Sequence, residues 1–341
     1  MTDYAKFSEA GRHAVAAASI VCRSVQDALD DVRAVTKDDK SPVTVADYAS
    51  QAIVGFALRE RLGDVVLVAE EASSFLRDED NAVFLAATLA AVKEVWEEAT
   101  EADILEAIDI GSGDTTHGKF WTLDPIDGTK GFLRNQQYAV ALGYVENGTP
   151  TIGVMGCPNL PVDMSMPLDE RDPDGCMYLA VKNEGVFETS CNTDSGEMTR
   201  ITRLDHDDNE ISVCGSVEAA HSNSSDVDRI LEWIESSGHG KPGEPARLDS
   251  QCKYAVVARG QADAYLRLPT RKDYVERIWD HAAGSCIANE SGAFVTDIFG
   301  RNLDFSHGRG LEVNKGVICA PPRVHGVILR AIEALGIGKD A

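Results

Sequence analysis

Positive charge is scarce in this sequence, closely paired cysteines are missing, and no hydrophobic run is long. The 341 residues carry 32 Lys and Arg against 56 Asp and Glu, a net charge of −24 at pH 7. That balance favours solubility and argues against nucleic acid or an anionic membrane as a partner. An acidic ligand would need a local positive site. No apolar stretch approaches the length of a membrane span. The opening "MTDYAKFSEAGRHAVAAASIVCRSV" places Asp3, Glu9 and Arg12 ahead of a short apolar run, where a secretory leader would have a basic region and then a clean hydrophobic one. The eight cysteines (Cys22, Cys157, Cys176, Cys191, Cys214, Cys252, Cys286, Cys319) include no Cys-x-x-Cys pair. Reduced core thiols are therefore expected in place of a disulfide framework or a zinc site, and the cytoplasm is the expected compartment.

Against these absences stand 43% apolar residues with regular Gly and Pro punctuation, enough at this length for two domains or one large α/β unit. Apolar positions recur at helical spacing over residues 6 to 34, and a second helix is expected from near Asp47 through "YASQAIVGFALRERLG" to Gly63. The Val-rich "DVVLVAE" reads as a short buried strand, and the Ala-rich acidic stretch from about 81 to 108 reads as helix. Strand signals dominate next: "KFWTLD", then "QYAVALGYVENGTPTIGVMG" with a turn at Asn147-Gly148, then "CMYLAVKNEGVFETS" with a turn at Asn183 to Gly185. They predict an antiparallel sheet. Residues 191 to 210 are polar and acidic and mark the candidate domain boundary. Beyond them strands ("ISVCGS", "ADAYLRL", "GVICA") alternate with helices ("DVDRILEWIES", "SQCKYAVVARG", "WDHAAGSCIANESG" and one from 322), the pattern of α/β layering. The expected domains are an α+β unit over 1–198 and a smaller α/β unit over 199–341.

The chemistry concentrates in "WTLDPIDGTKGF", residues 121 to 132. Pro125 biases Asp124 toward an extended conformation at a strand end, and Asp127 follows where a helix would begin. Two carboxylates this close repel unless a cation neutralises them, and hard oxygen donors suit Mg²⁺. If Thr129 opens a helix, the free N–H groups of its first turn face an arriving phosphate, and Gly128 allows close approach. Turn and cap roles explain the same acids equally well when the segment is taken alone. Three further acids at element ends shift the balance: Glu70 closes the "DVVLVAE" strand, Asp280 stands in "IWDHAAG", and Asp47 lies in "SPVTVADYAS".

"VTVADY", Glu70-Glu71, "WTLDPIDGTKGFLR" and "WDHAAG", in this order, resemble the magnesium-dependent, lithium-sensitive phosphatase superfamily that includes inositol monophosphatase. Within it, "GSVEAAHS" and "LDSQCKYAVVARGQADAYLRLP" are similar to segments of the 3′(2′),5′-bisphosphate nucleotidases. The resemblance implies a layered αβαβα sugar-phosphatase-type fold and removal of the 3′-phosphate from adenosine 3′,5′-bisphosphate. It implies two or three Mg²⁺ ions on Glu70, Asp124, Asp127, Asp280 and the Ile126 carbonyl. Asp47 and Thr129 match the pair that activates the attacking water, and His221, Ser250, Lys253 and Arg267 match residues that hold the nucleotide, with Thr129 and Asp280 also against substrate. A monomer is expected. From the residues themselves, Ser250 and Lys253 are three apart on a predicted helix's first turn and so share a face, and Arg267 offers a planar fork suited to phosphate.

Two rivals remain at this point. A haloacid-dehalogenase-like phosphatase also uses an Asp-rich turn, but its acids are separated by one residue, whereas Pro125 and Ile126 here make the spacing three. A catalytically silent metal or nucleotide sensor would have no need of Asp47 and Thr129 together. Inositol phosphates and a fructose bisphosphate stay open as substrates, since a metal core is indifferent to what carries the phosphate.

Overall fold

The computed structural model describes residues 3–29, 41–191, 196–204, 209–217, 224–269, 271 and 273–338. Helix α1 (Tyr4–Asp27) starts at Asp3, whose carboxylate accepts from the Lys6 N–H, and stops short of residue 34. Helix α2 (Ser41–Leu62) packs along it. It begins ahead of Asp47, because Pro42 sits in the first turn, where its missing N–H is not needed. "SPVTVADY" is therefore helical throughout, and Asp47 lies inside the helix rather than near its start.

Strand β1 (Leu67–Ala69) is followed by two helices where the sequence suggested one: α3 (Ala82–Val92) and α4 (Glu101–Asp109). The break has a local cause. Thr100 accepts from the Asp103 N–H while Asp103 accepts from the Thr100 N–H, a reciprocal cap that starts a new helix. In the break, Trp96 stacks on Phe56 of α2 at 3.7 Å between ring centroids.

Then come β2 (Lys119–Asp127), the single-turn α5 (Thr129–Leu133), β3 (Ala139–Glu146), β4 (Thr149–Cys157), β5 (Cys176–Val181), β6 (Gly185–Ser190) and β7 (Thr199–Arg200). They form a seven-stranded sheet in sequence order, with β1 parallel to β2 and each later pair antiparallel. The predicted hairpin turn is present, with Asn147 and Gly148 both at positive φ. Strand β7 extends this sheet just past residue 198.

The remainder contains β8 (Glu210–Ile211), β9 (Val213–Gly215), α6 (Ser224–Ser236), β10 (Lys241–Pro242), β11 (Ala246–Arg247), α7 (Cys252–Arg259), β12 (Ala264–Arg267), α8 (Ala282–Glu290), β13 (Phe294–Thr296), β14 (Val317–Ala320) and α9 (Pro322–Leu335). The second sheet runs β11-β9-β12-β14-β13 with mixed directions.

Packing orders these elements into five layers: α1 and α2, the first sheet, α7 and α8, the second sheet, and α6 with α9. Three apolar clusters fill the gaps between layers, the middle one spanning both faces of α7 and α8. The central helix layer is tight: a Cβ at Gly284 of α8 would come within 2.1 Å of the Tyr254 ring on α7. Trp121 and Trp279 pack in these interiors, and all eight cysteines are buried and unpaired. No described helix is long and apolar enough to cross a membrane.

Candidate active site

One face of α2 organises the first wall of the site. Asp47, Ser50 and Gln51 stand at i, i+3 and i+4 and so point the same way. Asp47 is only 8% exposed. Ser50 donates its hydroxyl to the Pro125 carbonyl at 2.9 Å. Gln51 donates to the Glu71 carbonyl (2.8 Å) and accepts from the Glu71 N–H (3.0 Å). A single helical face thus presents Asp47, steadies the Asp124–Asp127 segment and fixes the chain directly after Glu70.

Strands β1 and β2 bring the next acids together. Their parallel register pairs Ala69 with Leu123, which sets Glu70 beside Asp124, and the Glu70 N–H donates to the Leu123 carbonyl at 3.3 Å. The spacing of three between Asp124 and Asp127 would put the two carboxylates on opposite faces of a regular strand. It does not, because β2 bulges there: Asp124 faces Ala141 and Asp127 faces Ala139, three steps on β2 against two on β3. Both acids therefore point toward the central helices, as Ala139 and Ala141 do, while the Leu123 and Ile126 side chains fill the core under α1 and α2. The Ile126 peptide sits in the bulge, outside the regular ladder.

Crowding raises the pKa of Asp124, Asp47, Glu70 and Asp280. Asp124 is 3% exposed and its Oδ1 has no hydrogen-bond partner among the described residues. Burial, then the charges of Asp127, Glu70, Asp280 and Asp47, hold it well above the ordinary carboxyl range. Burial and the neighbouring Glu71 and Glu70 do the same to Asp47. Glu70, at the open edge of the group, is raised to about 7 by its desolvated surroundings and by Asp280, Glu71 and Asp127, with a hydrogen bond to Asp124 pulling the other way. Asp280, just before α8, is raised to about 6 by burial, although Arg267 and His281 oppose the shift. A buried carboxylate oxygen with no partner, inside a set of acids that each resist ionisation, is what a divalent cation would relieve. The all-oxygen donor set fits a hard ion.

The second wall is cationic. A cavity of about 220 Å³ opens beside Asp127 and is lined by Thr129, Ser250, Lys253, Arg267 and Asp280, among others. Lys253 is 6% exposed, with its Nζ 5.4 Å from the Tyr265 ring centroid. Burial lowers its pKa, while Asp127 and Asp249 work against that shift. Ser250 precedes α7 at φ +68, so it is not on the helix's first turn as the sequence suggested, yet it lines the same cavity. Gly128, at φ +92, abuts it: a Cβ there would lie 2.7 Å from the Ser250 Cβ. Gln251 ties the two walls. Its N–H donates to Asp127 Oδ2 at 2.6 Å, and its side chain donates to the Trp279 carbonyl (2.9 Å) and accepts from the Gly284 N–H (3.1 Å).

The structure thus gathers Asp47, Glu70, Asp124, Ile126, Asp127, Thr129, Ser250, Lys253, Arg267 and Asp280 around one cleft. His221 lies outside the described residues. Thr129 opens a helix, as the sequence allowed, in the single five-residue turn of α5. Sequence reasoning missed Ser50 and Gln51, which the helical spacing from Asp47 could have found. It also missed Gln251, Glu276 and the ion pair of Arg134 with Asp249, none of which has a local sequence signal.

Five layers with acids gathered at the ends of a parallel strand pair define the sugar-phosphatase class of fold. Known structures agree: an inositol monophosphatase from Anabaena (Nostoc) sp. PCC 7120 superposes with a TM-score of 0.60 at 16% identity, covering 98% of this chain and 97% of that one. A member of the same family from Bacteroides thetaiotaomicron gives 0.58 at 20%, covering 92% and 96%. Residues 5–336 match the inositol monophosphatase family, and the chain belongs to it. Among curated proteins, it is 42% identical to a 3′(2′),5′-bisphosphate nucleotidase of Schizosaccharomyces pombe over 88% of this chain and 85% of that protein. It is 41% identical to one of Emericella nidulans over 88% and 90%, and 36% identical to one of Dictyostelium discoideum over 94% and 94%.

Proposed function

We propose that this protein is a 3′(2′),5′-bisphosphate nucleotidase: it hydrolyses the 3′-phosphate of adenosine 3′,5′-bisphosphate to AMP and inorganic phosphate, with 3′-phosphoadenosine 5′-phosphosulfate as a second substrate. The observation that carries this reading is the 42% identity to a curated nucleotidase across most of both chains. The convergence of the acids and cations on one cleft supports it.

Glu70, Asp124, Asp127, Asp280 and the Ile126 carbonyl are assigned to two or three Mg²⁺ ions, which when bound supply charge neutralisation and Lewis-acid activation of water and of the leaving oxygen. Asp47 accepts the proton of the attacking water, and the Thr129 hydroxyl orients that water and relays the proton. A buried carboxylate with raised proton affinity suits a general base. Ser250, Lys253, Arg267 and His221 hold the nucleotide, with Thr129 and Asp280 also against it. Arg267 presents a planar fork to phosphate.

Lithium is expected to inhibit by replacing a magnesium ion without its full charge. We assign the protein to the cytoplasm as a monomer of two units, residues 1–198 and 199–341; eight buried thiols suit a reducing compartment. The deciding experiment compares phosphate release from adenosine 3′,5′-bisphosphate, inositol 1-phosphate and fructose 1,6-bisphosphate. The nucleotide should lead in kcat/KM by about tenfold or more. Equal or faster release from inositol 1-phosphate removes the nucleotide assignment, and no release from any of the three leaves a binding protein.

A further inference from the structure

Beside the cleft, Glu276, Asp280 and His281 bring ligand atoms within 4.8 Å of one another, a grouping with the look of a separate metal site. The hydrogen bonds say otherwise. His281 is fully buried, and its Nδ1 pairs with the Tyr254 hydroxyl at 2.8 Å. Its Nε2 lies 3.3 Å from Glu276 Oε2. A carboxylate only accepts, so Nε2 carries the proton in this pair. Both ring nitrogens are thus committed to protein partners, which leaves none for a metal. The same Glu276 oxygen receives the Arg267 Nε at 2.8 Å. At its other end Arg267 reaches the Tyr274 hydroxyl (3.1 Å) and, more loosely, Asp280 (3.4 Å).

We infer that Glu276 is a positioning residue for substrate binding: held by His281, which Tyr254 holds in turn, it fixes the Nε edge of Arg267 so that the rest of the guanidinium faces the cleft. The inference rests on reading Arg267 as a nucleotide-binding residue. Several observations support it. Arginine has many rotamers, and an unheld guanidinium would lose more conformational freedom on meeting substrate. The holder is itself rigid: Tyr254 is fully buried, closed in by Gly284, and meets Tyr265 edge-on at 5.0 Å. Glu276 also differs from the acids across the cleft. Burial pushes its pKa up, but the His281 hydrogen bond and the Arg267 charge outweigh this and hold it below the ordinary value. Its charge is already matched within the protein, as a fixed support requires.

The test is a double-mutant cycle on Glu276→Gln and Arg267→Ala, read as AMP affinity by titration calorimetry and as KM and kcat for adenosine 3′,5′-bisphosphate, with melting temperature as the folding control. Glu276→Gln should weaken AMP binding and raise KM by about tenfold, the size of one charge-assisted hydrogen bond, with kcat changed by less than about threefold. In the Arg267→Ala background the same change should add less than about twofold. Tyr254→Phe, which removes one hydroxyl, should shift KM the same way by about twofold, and it carries the cycle if Glu276→Gln does not fold. Additive losses, or a fall in kcat with KM unchanged, overturn the inference and leave the proposed function standing. If the unaltered protein neither binds AMP nor hydrolyses the bisphosphate, both fall together.

Discussion

The two walls of the cleft handle charge in opposite ways. On the wall built by α2, β1 and β2, acids face acids: burial and neighbouring carboxylates hold the pKa values of Asp47, Glu70 and Asp124 up, and the buried Asp124 Oδ1 has no hydrogen-bond partner among the described residues. On the wall built by α7, β12 and the segment before α8, charges are paired. Arg267 sits on Glu276, Glu276 on His281, and Arg134 on Asp249. The first wall sets like charges against one another, whereas the second matches the Arg267 charge before any ligand arrives and keeps Lys253 buried beside the Tyr265 ring. The difference separates chemistry from recognition: the unbalanced side is suited to seat an ion and move a proton, the balanced side to hold a shape for a nucleotide.

Changes on the unbalanced wall should be the most damaging to turnover. Asp47→Asn should lower kcat by about 10²- to 10⁴-fold, the range for losing a general base, while AMP still binds by calorimetry; retained turnover would take Asp47 out of the chemistry. On the balanced wall, Arg267→Ala should raise KM by about 10- to 100-fold with a smaller effect on kcat. The reverse split would erase the contrast between the walls.

The acids also give a pH signature in metal-stripped protein. Glu70 and Asp280 bind protons in the fold up to about pH 7 and 6, against ordinary values of 4.5 and 3.8. The folded state therefore holds protons that the unfolded chain releases, and this stabilisation is present in acid and lost as pH rises through 6 to 7. Calorimetry should show the stripped protein melting about 2–4 °C lower at pH 8 than at pH 5, and added Mg²⁺ should stabilise it more at pH 8. A flat profile would mean the acids are not in mutual conflict. The smallest effect concerns thiols: a colorimetric thiol reagent should find almost no reactive cysteine in the native protein and all eight after denaturation, since each is buried and unpaired.

Much of this was readable in the sequence where the physics is local. Alternation and turn residues gave the β3 to β6 meander, and the spacing of acids in "DPIDGTKG" marked the site. Helix limits were harder. "SPVTVADY" has β-branched residues that favour a strand, yet the face carrying Asp47, Ser50 and Gln51 gains partners only in the folded molecule. The break before α4 depended on a two-residue cap at Thr100 and Asp103, which a broad apolar periodicity hides. Gln251 was invisible because its partners Trp279 and Gly284 lie far away in sequence and take part through the backbone, and Glu276 because its pairing with Arg267 and His281 follows no helix or strand spacing.

The bulge in β2 makes chain length between Asp124 and Asp127 matter more than the identity of what fills it. Replacing Pro125 leaves the count intact. Deleting either intervening residue would leave two steps on β2 against two on β3: the carboxylates could keep Ala141 and Ala139 as partners, but the bulge that sets the Ile126 peptide outside the ladder would be lost. Insertions and deletions at this point should therefore be tolerated far less than substitutions, a rule that can be applied to any relative from its sequence alone.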